Sequence, residues 1–548
     1  MPKQSLEGNS AREALQRGLD KVVDAVKVTL GPRGRNVLLD RPGQPLATRD
    51  GVTVAKERAS LPDPFENMGA QYARECADAA VVESGDGTTT ASVILQAIVS
   101  AGMKAVSEGA EPLLLADGIQ MAAAKCAEFI KAMSIPATPE LVRQAAIVST
   151  HQDIELGTLI AEATCKVGPT GVLELQDSRD EKTTIEHLEG FYFGRGWRPN
   201  QFFANDRTGQ KCVLKKPFIL ISERPIAGSH DQLAGNHITK IACAVAATGR
   251  PFLIVSEDLI GDAMQFMSVN MARGTIQFCF VKLPGFRDKA GEVEDLRIAV
   301  GAKRVHSQIA NSANDHLSGF TLEDLGWCEE AVITRDRTVL IKGGANDMLL
   351  QKRIKQLAEQ AREATNDYEK GELEARAARL FGGIAVLKVG ANSEPQMLER
   401  KARAEDAIHA CRGALQEGVV PGGGVALLRA AMAYQYAYLS KDICAGELIL
   451  VQAICEPAKQ IIRNTGHGSA QEVVEALGHH EGKDSWGFNA ATGQAGDLYE
   501  MGIVDPTRVV LTALTKAASI GALLLTSEVL VTDIPQPKMV MMPPGGAF

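Results

Sequence analysis

The run Gly85-Asp86-Gly87-Thr88-Thr89-Thr90 leads into the apolar stretch 91–98 and combines the parts of an anion site. Unpaired backbone N–H groups at a helix start, three hydroxyls and glycines that permit close approach all suit phosphate. Asp86 beside such phosphates would be a hard oxygen ligand for Mg²⁺. The same residues also read as an N-cap aspartate on an ordinary helix, although three consecutive threonines exceed what capping needs. Thr29-Leu30-Gly31-Pro32-Arg33-Gly34 is a second candidate, because glycines beside a helix end can form a nest of N–H groups. It also reads simply as a helix end and turn. Asp50-Gly51 reads as a hairpin turn, and Glu405-Asp406 as a charge pair on a solvated helix face. Gly422-Gly423-Gly424 opens a helix where backbone could pass close to a ligand. Asp505-Pro506 follows the apolar Ile503-Val504 and could close a nucleotide pocket with a ribose-binding carboxylate.

Other chemistries find little support. There is no G-x-x-x-x-G-K-[ST] and no G-x-G-x-x-G leading from strand to helix. The ten cysteines are scattered without a C-x-x-C pair, and read as reduced, mostly buried small hydrophobes. The ten histidines make no metal-ligand spacing, so no zinc site is expected. A formal charge of −9 argues against nucleic acid as the main partner. No run of about 18 uninterrupted apolar residues occurs, so no transmembrane helix is expected. The start MPKQSLEGNSAREALQRG is polar and helical in pattern rather than signal-like, and a cytoplasmic protein is expected.

The elements that must hold these residues fall into three stretches. Leu15, Leu19, Val22 and Val26 share one helix face over 11–30, followed by short β-like runs at 36–39 and 52–55. Helices are expected at 65–82, 88–108, 112–133, 139–147 and 154–166, with Thr138 as an N-cap. Beyond Gly168 the runs 171–175, 218–222, 252–256 and 276–282 are short and continuously apolar, as buried strands are. A charged helix or helical pair over 346–380, a strand at 384–389 and helices over 397–416, through much of 424–480 and over 506–531 complete the pattern. The length of 548 residues suggests three or four domains at about 150 residues each. Glycine is abundant at 52 residues and aromatics stop at 5%, which fits close-packed helices built from Ala, Val and Leu. Two helical ends flanking an α/β middle suggest one domain assembled from both termini, with a module inserted between.

Taken together and in order, these segments resemble the group I chaperonins, the GroEL family. The resemblance is carried by the stretch from Val28-Thr29-Leu30-Gly31-Pro32 to Arg33-Gly34-Arg35-Asn36-Val37, by Asp50-Gly51-Val52 and by Phe65-Glu66-Asn67-Met68-Gly69-Ala70. It continues through Gly85–Thr90, Ala402-Arg403-Ala404-Glu405-Asp406-Ala407, Gly422-Gly423-Gly424-Val425-Ala426-Leu427 and Asn489-Ala490-Ala491-Thr492. The resemblance implies a multidomain α+β fold in five segments. A mainly helical equatorial ATPase domain would span 1–132 and 417–548, and a small α/β intermediate hinge domain 133–188 and 385–416. An inserted α/β apical domain would span 189–384.

Carried over by residue, Thr29, Leu30, Gly31, Pro32, Gly87, Thr88, Thr89 and Thr90 would hold the phosphates of ATP. Asp86 would ligate Mg²⁺, with a K⁺ near Thr29. Gly423, Asn489, Ala490, Ile503 and Asp505 would line the nucleoside end. Asp406 would orient the attacking water, with Asp50 as a second catalytic carboxylate, and Asp406 would arrive through closure of the hinge domain. The implied function is ATP-dependent folding of non-native polypeptides in a homo-oligomeric ring, a heptamer and possibly a double ring, with a small lid co-chaperonin. Trp197, Phe202, Met264 and Val269 match apolar positions that capture substrate. The sequence departs from the family pattern at Gln201, at Ser268, in the long polar segment 229–248, at His467-Gly468-Ser469 and in a tail without Gly-Gly-Met repeats. These departures motivate an alternative: a paralogue acting mainly as a specialised binding or scaffold protein with a narrow clientele.

Overall fold

In a computed structural model, the chain divides into two compact units. One comprises Met1–Glu162, Asp177–Thr183 and Val389–Phe548; the other comprises Ala163–Gln176 and Thr184–Lys388. The structure describes all residues except 1–2, 41–44, 59, 169–171, 179–180, 189, 198–202, 206–210, 227–237, 285–288, 308–316, 336, 365–369, 371, 374–375, 378, 381–383, 439–443, 467–468, 479–483 and 534–548.

The first unit is helical. Gly8–Val26, Pro64–Ser84, Thr88–Ser107, Pro112–Met133 and Thr507–Leu525 pack around one core of Ala, Val, Leu and Ile. Small side chains let these helices touch. A Cβ on Gly18 would lie 1.7 Å from the Glu66 carbonyl oxygen, and one on Gly69 would lie 2.0 Å from the Leu15 carbonyl oxygen. The crossing of Gly8–Val26 over Pro64–Ser84 therefore needs glycine at both points. Two helices, Thr88–Ser107 and Thr507–Leu525, are long and apolar enough to span a bilayer, contrary to the reading from uninterrupted runs. Their apolar windows are 50% and 67% buried in this core, the packing of central helices in a globular unit.

Local signals placed most helices well. Thr138 caps Pro139–Ser149 by accepting the Leu141 N–H, and Asp63 caps Pro64–Ser84 by accepting from Phe65 and Glu66. Two expectations fail. Residues 52–55 form no strand but lie in the helix Gly51–Arg58, and Val37–Leu39 pairs instead with Leu46–Thr48. The polar N-terminus is not helical at its start: Lys3–Glu7 is a strand, antiparallel to Val529–Asp533.

The second unit centres on a seven-stranded sheet. Its order is Phe278–Lys282, Phe252–Ser256, Phe218–Ser222, Gly326–Ile333, Thr338–Gly343 and Gly190–Phe193, with Cys212–Lys215 paired to Gly326–Ile333. The first three strands are parallel, with Phe218, Phe252 and Phe278 in register. Their continuous apolar runs follow from burial on both faces. A three-stranded sheet joins Val172–Asp177, Ile384–Val389 and Thr184–Leu188.

Candidate functional site

The phosphate-type segments of the sequence meet in one cavity of about 570 Å³ in the first unit, a volume suited to a compact organic ligand. Its wall includes Thr29, Leu30, Gly31 and Pro32 from one segment and Asp86, Gly87, Thr88, Thr89 and Thr90 from another. Gly423, Asn489, Ala490, Ile503 and Asp505 line it too, as do Asp50 and Asp406. All the nucleotide and catalytic positions expected from the sequence thus share one wall.

Each is positioned by local geometry. Gly87 adopts φ 84° at the N-cap of Thr88–Ser107, where no side chain occupies the cap. The first N–H groups of that helix are therefore not claimed by a capping side chain. Asp86 turns its carboxylate back instead: Oδ1 accepts the Gly87 N–H at 2.5 Å and Oδ2 accepts the Ser149 hydroxyl at 3.2 Å. The turn after Thr29 is pinned by Asn464, whose Nδ2 donates to the carbonyls of Lys27 and Leu30, both at 2.9 Å. Asn489 organises the opposite end by accepting the N–H groups of Ala491 and Thr492. The strand Val419–Pro421 pairs with Val504–Pro506, setting Asp505 against Val420 and beside the glycine turn.

Asp50 is not a hairpin turn residue. Its Oδ1 accepts the Val52 N–H and its Oδ2 the Thr53 N–H, each at 3.0 Å, so it caps Gly51–Arg58. That cap overrides the strand preference of Val52-Thr53-Val54. It also brings the helix start against the threonine run, since a Cβ on Gly51 would sit 2.3 Å from Thr89 Oγ1. Asp406 lies on the helix Glu394–Glu417 and reaches the cavity in the arrangement observed.

Burial and neighbouring charge perturb three of the carboxylates in this cavity. Burial, then the Asp86 charge, pushes Asp505 up to about 7, against the Gly423 N–H. Burial and the charge of Asp50 raise Asp86, opposed by the bonds from Gly87 and Ser149. Asp406 is raised well above the carboxylate range by burial and by Asp86, Asp50 and Glu405. Such a cluster favours a bound cation, which would relieve the repulsion. Among the described residues no three His, Cys, Asp or Glu side chains form a ready metal cage. The Asp86 carboxylate supplies the hard oxygen donors that Mg²⁺ takes alongside phosphates and water.

The substrate positions expected in the second unit fare differently. Trp197 is 5% exposed and bridges Val281, inside the core rather than on a rim. It belongs to the sheet-centred cluster, where the sequence reading expected a capture residue. Met264 packs partly buried against that core, and Val269, on the same helix Gly261–Ala272, is 41% exposed. Phe202 and residues 229–237 lie outside the described residues. Sequence reasoning missed Ser149, Asn464 and His151, and only the side-chain type marked them, since none belongs to a glycine- or aspartate-rich run.

Comparison with known proteins agrees with this architecture. The chaperonin gp146 from the bacteriophage EL 2 (Pseudomonas aeruginosa), crystallised in the presence of ATP-BeFx, is 21% identical. The match covers 97% of this chain and 99% of that one, with a TM-score of 0.73. A second crystal form of the same protein, also with ATP-BeFx, matches at 21% identity over the same shares, with a TM-score of 0.66. Residues 22–535 match the TCP-1/cpn60 chaperonin family, so the chain has a chaperonin fold and belongs to that family.

Proposed function

We propose that this protein is an ATP-driven chaperonin that binds non-native polypeptides and assists their folding. The observation that carries the reading is the convergence of Asp50, Asp86, Asp406 and Asp505 with two glycine-rich turns on one cavity. Thr29–Pro32 and Gly87–Thr90 hold the phosphates through backbone N–H groups and hydroxyls. Asp86 would hold Mg²⁺, with K⁺ near Thr29, and the metal would supply charge neutralisation at the phosphates. Gly423, Asn489, Ala490, Ile503 and Asp505 receive the nucleoside.

Hydrolysis of a phosphoanhydride needs a positioned water more than covalent help. Asp406 orients that water and Asp50 assists, both carboxylates lining the cavity beside the phosphate turns. Asp406 sits on a helix far in sequence from the phosphate turns yet already lines the cavity, so a bound nucleotide would favour the arrangement that keeps that helix in place. The five-segment division into equatorial (1–132, 417–548), intermediate (133–188, 385–416) and apical (189–384) domains belongs to the same proposal. So do a heptameric, possibly double, ring, a lid co-chaperonin and a cytoplasmic setting. The apical capture surface is built on Val269 and Met264.

A second reading, a binding or scaffold protein with a narrow clientele, is favoured by the burial of Trp197, which removes one aromatic from the capture surface. The test is a chemically denatured enzyme diluted into the protein with MgATP, K⁺ and a lid protein. The first reading expects suppressed aggregation and ATP-dependent return of enzyme activity. ATP hydrolysis with neither capture nor return would leave the scaffold reading.

A further inference from the structure

Ser149 closes the helix Pro139–Ser149 and lines the cavity, yet the proposed function gives it no part. A serine hydroxyl inside a helix commonly turns back to a carbonyl of its own preceding turn. The single hydroxyl proton of Ser149 goes elsewhere, to Asp86 Oδ2 at 3.2 Å, a residue 63 positions away in the chain. The other carboxylate oxygen, Oδ1, accepts the adjacent Gly87 N–H. The Cβ–Cγ torsion of an aspartate is broad and roughly two-fold, so the bond to Oδ1 alone leaves the carboxylate plane loosely set. The second bond fixes that plane. Each oxygen keeps a further lone pair for a ligand.

The residue that fixes Asp86 is tied to the helix that carries Asp406. Pro139–Ser149 and Glu394–Glu417 are joined at several points. Cys411 Sγ meets the Val142 carbonyl at 3.9 Å, and Arg403 Nη1 donates to the Thr150 carbonyl at 3.5 Å. Arg400 pairs with Asp153 at 3.6 Å. The same helix pair touches the turn of Asp86 a second time. Gly85 has φ 75°, and a Cβ there would lie 2.1 Å from the imidazole Cγ of His409, one turn beyond Asp406. The bare glycine admits that helix against the turn. Ser149, Asp406 and His409 thus reach the site from one packed helix pair.

We propose that Ser149 is a positioning residue: from the helix pair that carries Asp406, its hydroxyl sets the plane in which Asp86 meets the metal of a bound Mg·nucleotide. The assignment rests on the nucleotide-site reading above. Its consequence is a link in both directions, since a ligand held best by the oriented Asp86 favours the arrangement in which the helix pair is seated.

The test is calorimetric titration of the full-length protein with Mg·ADP, which needs no turnover, for wild type, Ser149→Ala and Ser149→Thr. Ala removes the hydroxyl, whereas Thr keeps it on the same carbon. The Ala variant is expected to lose about tenfold in Mg·ADP affinity, as for the loss of a hydrogen bond that orients a metal ligand. Thr should stay within about twofold of wild type. Hydrogen exchange supplies the second readout: saturating Mg·ADP should slow amide exchange over 139–149 in wild type and Thr, and less in Ala. Wild type binding Mg·ADP, with Ala binding as tightly or Thr falling as far as Ala, overturns the role of Ser149 alone. Equal protection over 139–149 in Ala and wild type overturns the link to the helix pair. Wild type failing to bind Mg·ADP overturns the nucleotide-site reading and this assignment with it.

Discussion

Replacing Asp505 by asparagine removes one charge from a cavity that also holds Asp50, Asp86 and Asp406. Asp505 is raised from 3.8 to about 7 by burial and by Asp86. The folded state therefore holds its proton more tightly than the unfolded chain does. The favourable contribution is fully present below pH 4, and it is lost as pH rises through 7. Each tenfold difference in proton affinity between the two states is worth about 1.4 kcal/mol. The complete loss is then on the order of 4 kcal/mol, of which about 2–3 kcal/mol falls between pH 5 and pH 8. Asp86 and Asp406 are raised too and add slope of the same sign. Asp505→Asn keeps an acceptor for the Gly423 N–H and carries no charge. It should flatten the pH dependence by about 2–3 kcal/mol and stabilise the nucleotide-free protein most at pH 8. The assay is urea unfolding without nucleotide or metal, read by Trp486 fluorescence after Trp197→Phe and Trp327→Phe. Of the three tryptophans, only Trp486 reports on the first unit. Unfolding midpoints that vary identically with pH in the variant and its parent would refute the reasoning.

Three further consequences are accessible to simple measurements. Gly18→Ala places a methyl 1.7 Å from the Glu66 carbonyl oxygen and should cost about 3 kcal/mol or more through overpacking of the helix crossing; an unchanged urea midpoint would contradict that packing. Asn464→Ala frees the carbonyls of Lys27 and Leu30. It should weaken ATP binding about tenfold by loosening the phosphate turn, whereas calorimetry showing wild-type affinity would detach the turn from binding. Val269→Glu adds a charge to an exposed position of Gly261–Ala272. It should reduce capture of a denatured polypeptide in a light-scattering assay while leaving ATP turnover intact, and undiminished capture would move the binding surface elsewhere.

What could be read from sequence alone follows from the range of the interactions involved. Thr138 and Asp63 announce helix starts because a cap acts over three residues. The buried strands 218–222 and 252–256 are legible from their unbroken apolar runs. Asp50 shows how one local signal can defeat another: Val52-Thr53-Val54 has strand character, but the carboxylate accepting two N–H groups starts a helix. The strand Lys3–Glu7 was out of reach because its partner, Val529–Asp533, lies at the opposite end of the chain. Trp197 could not be assigned to core or rim by type, since an aromatic serves either and the bridge to Val281 decides. In the site, glycine- and threonine-rich runs mark two turns of the cavity wall. Ser149, Asn464 and His151 act through contacts that only the folded chain creates.

The central claim is that Asp406 turns a nucleotide-binding cavity into an ATPase. Its most direct test pairs calorimetric ATP binding with phosphate release for wild type and Asp406→Ala, in Mg²⁺ and K⁺. Wild-type protein should bind and hydrolyse ATP. The variant should bind within a few-fold of wild type and lose about a hundredfold or more in turnover. Turnover at the wild-type rate in Asp406→Ala, with binding intact, would contradict the account.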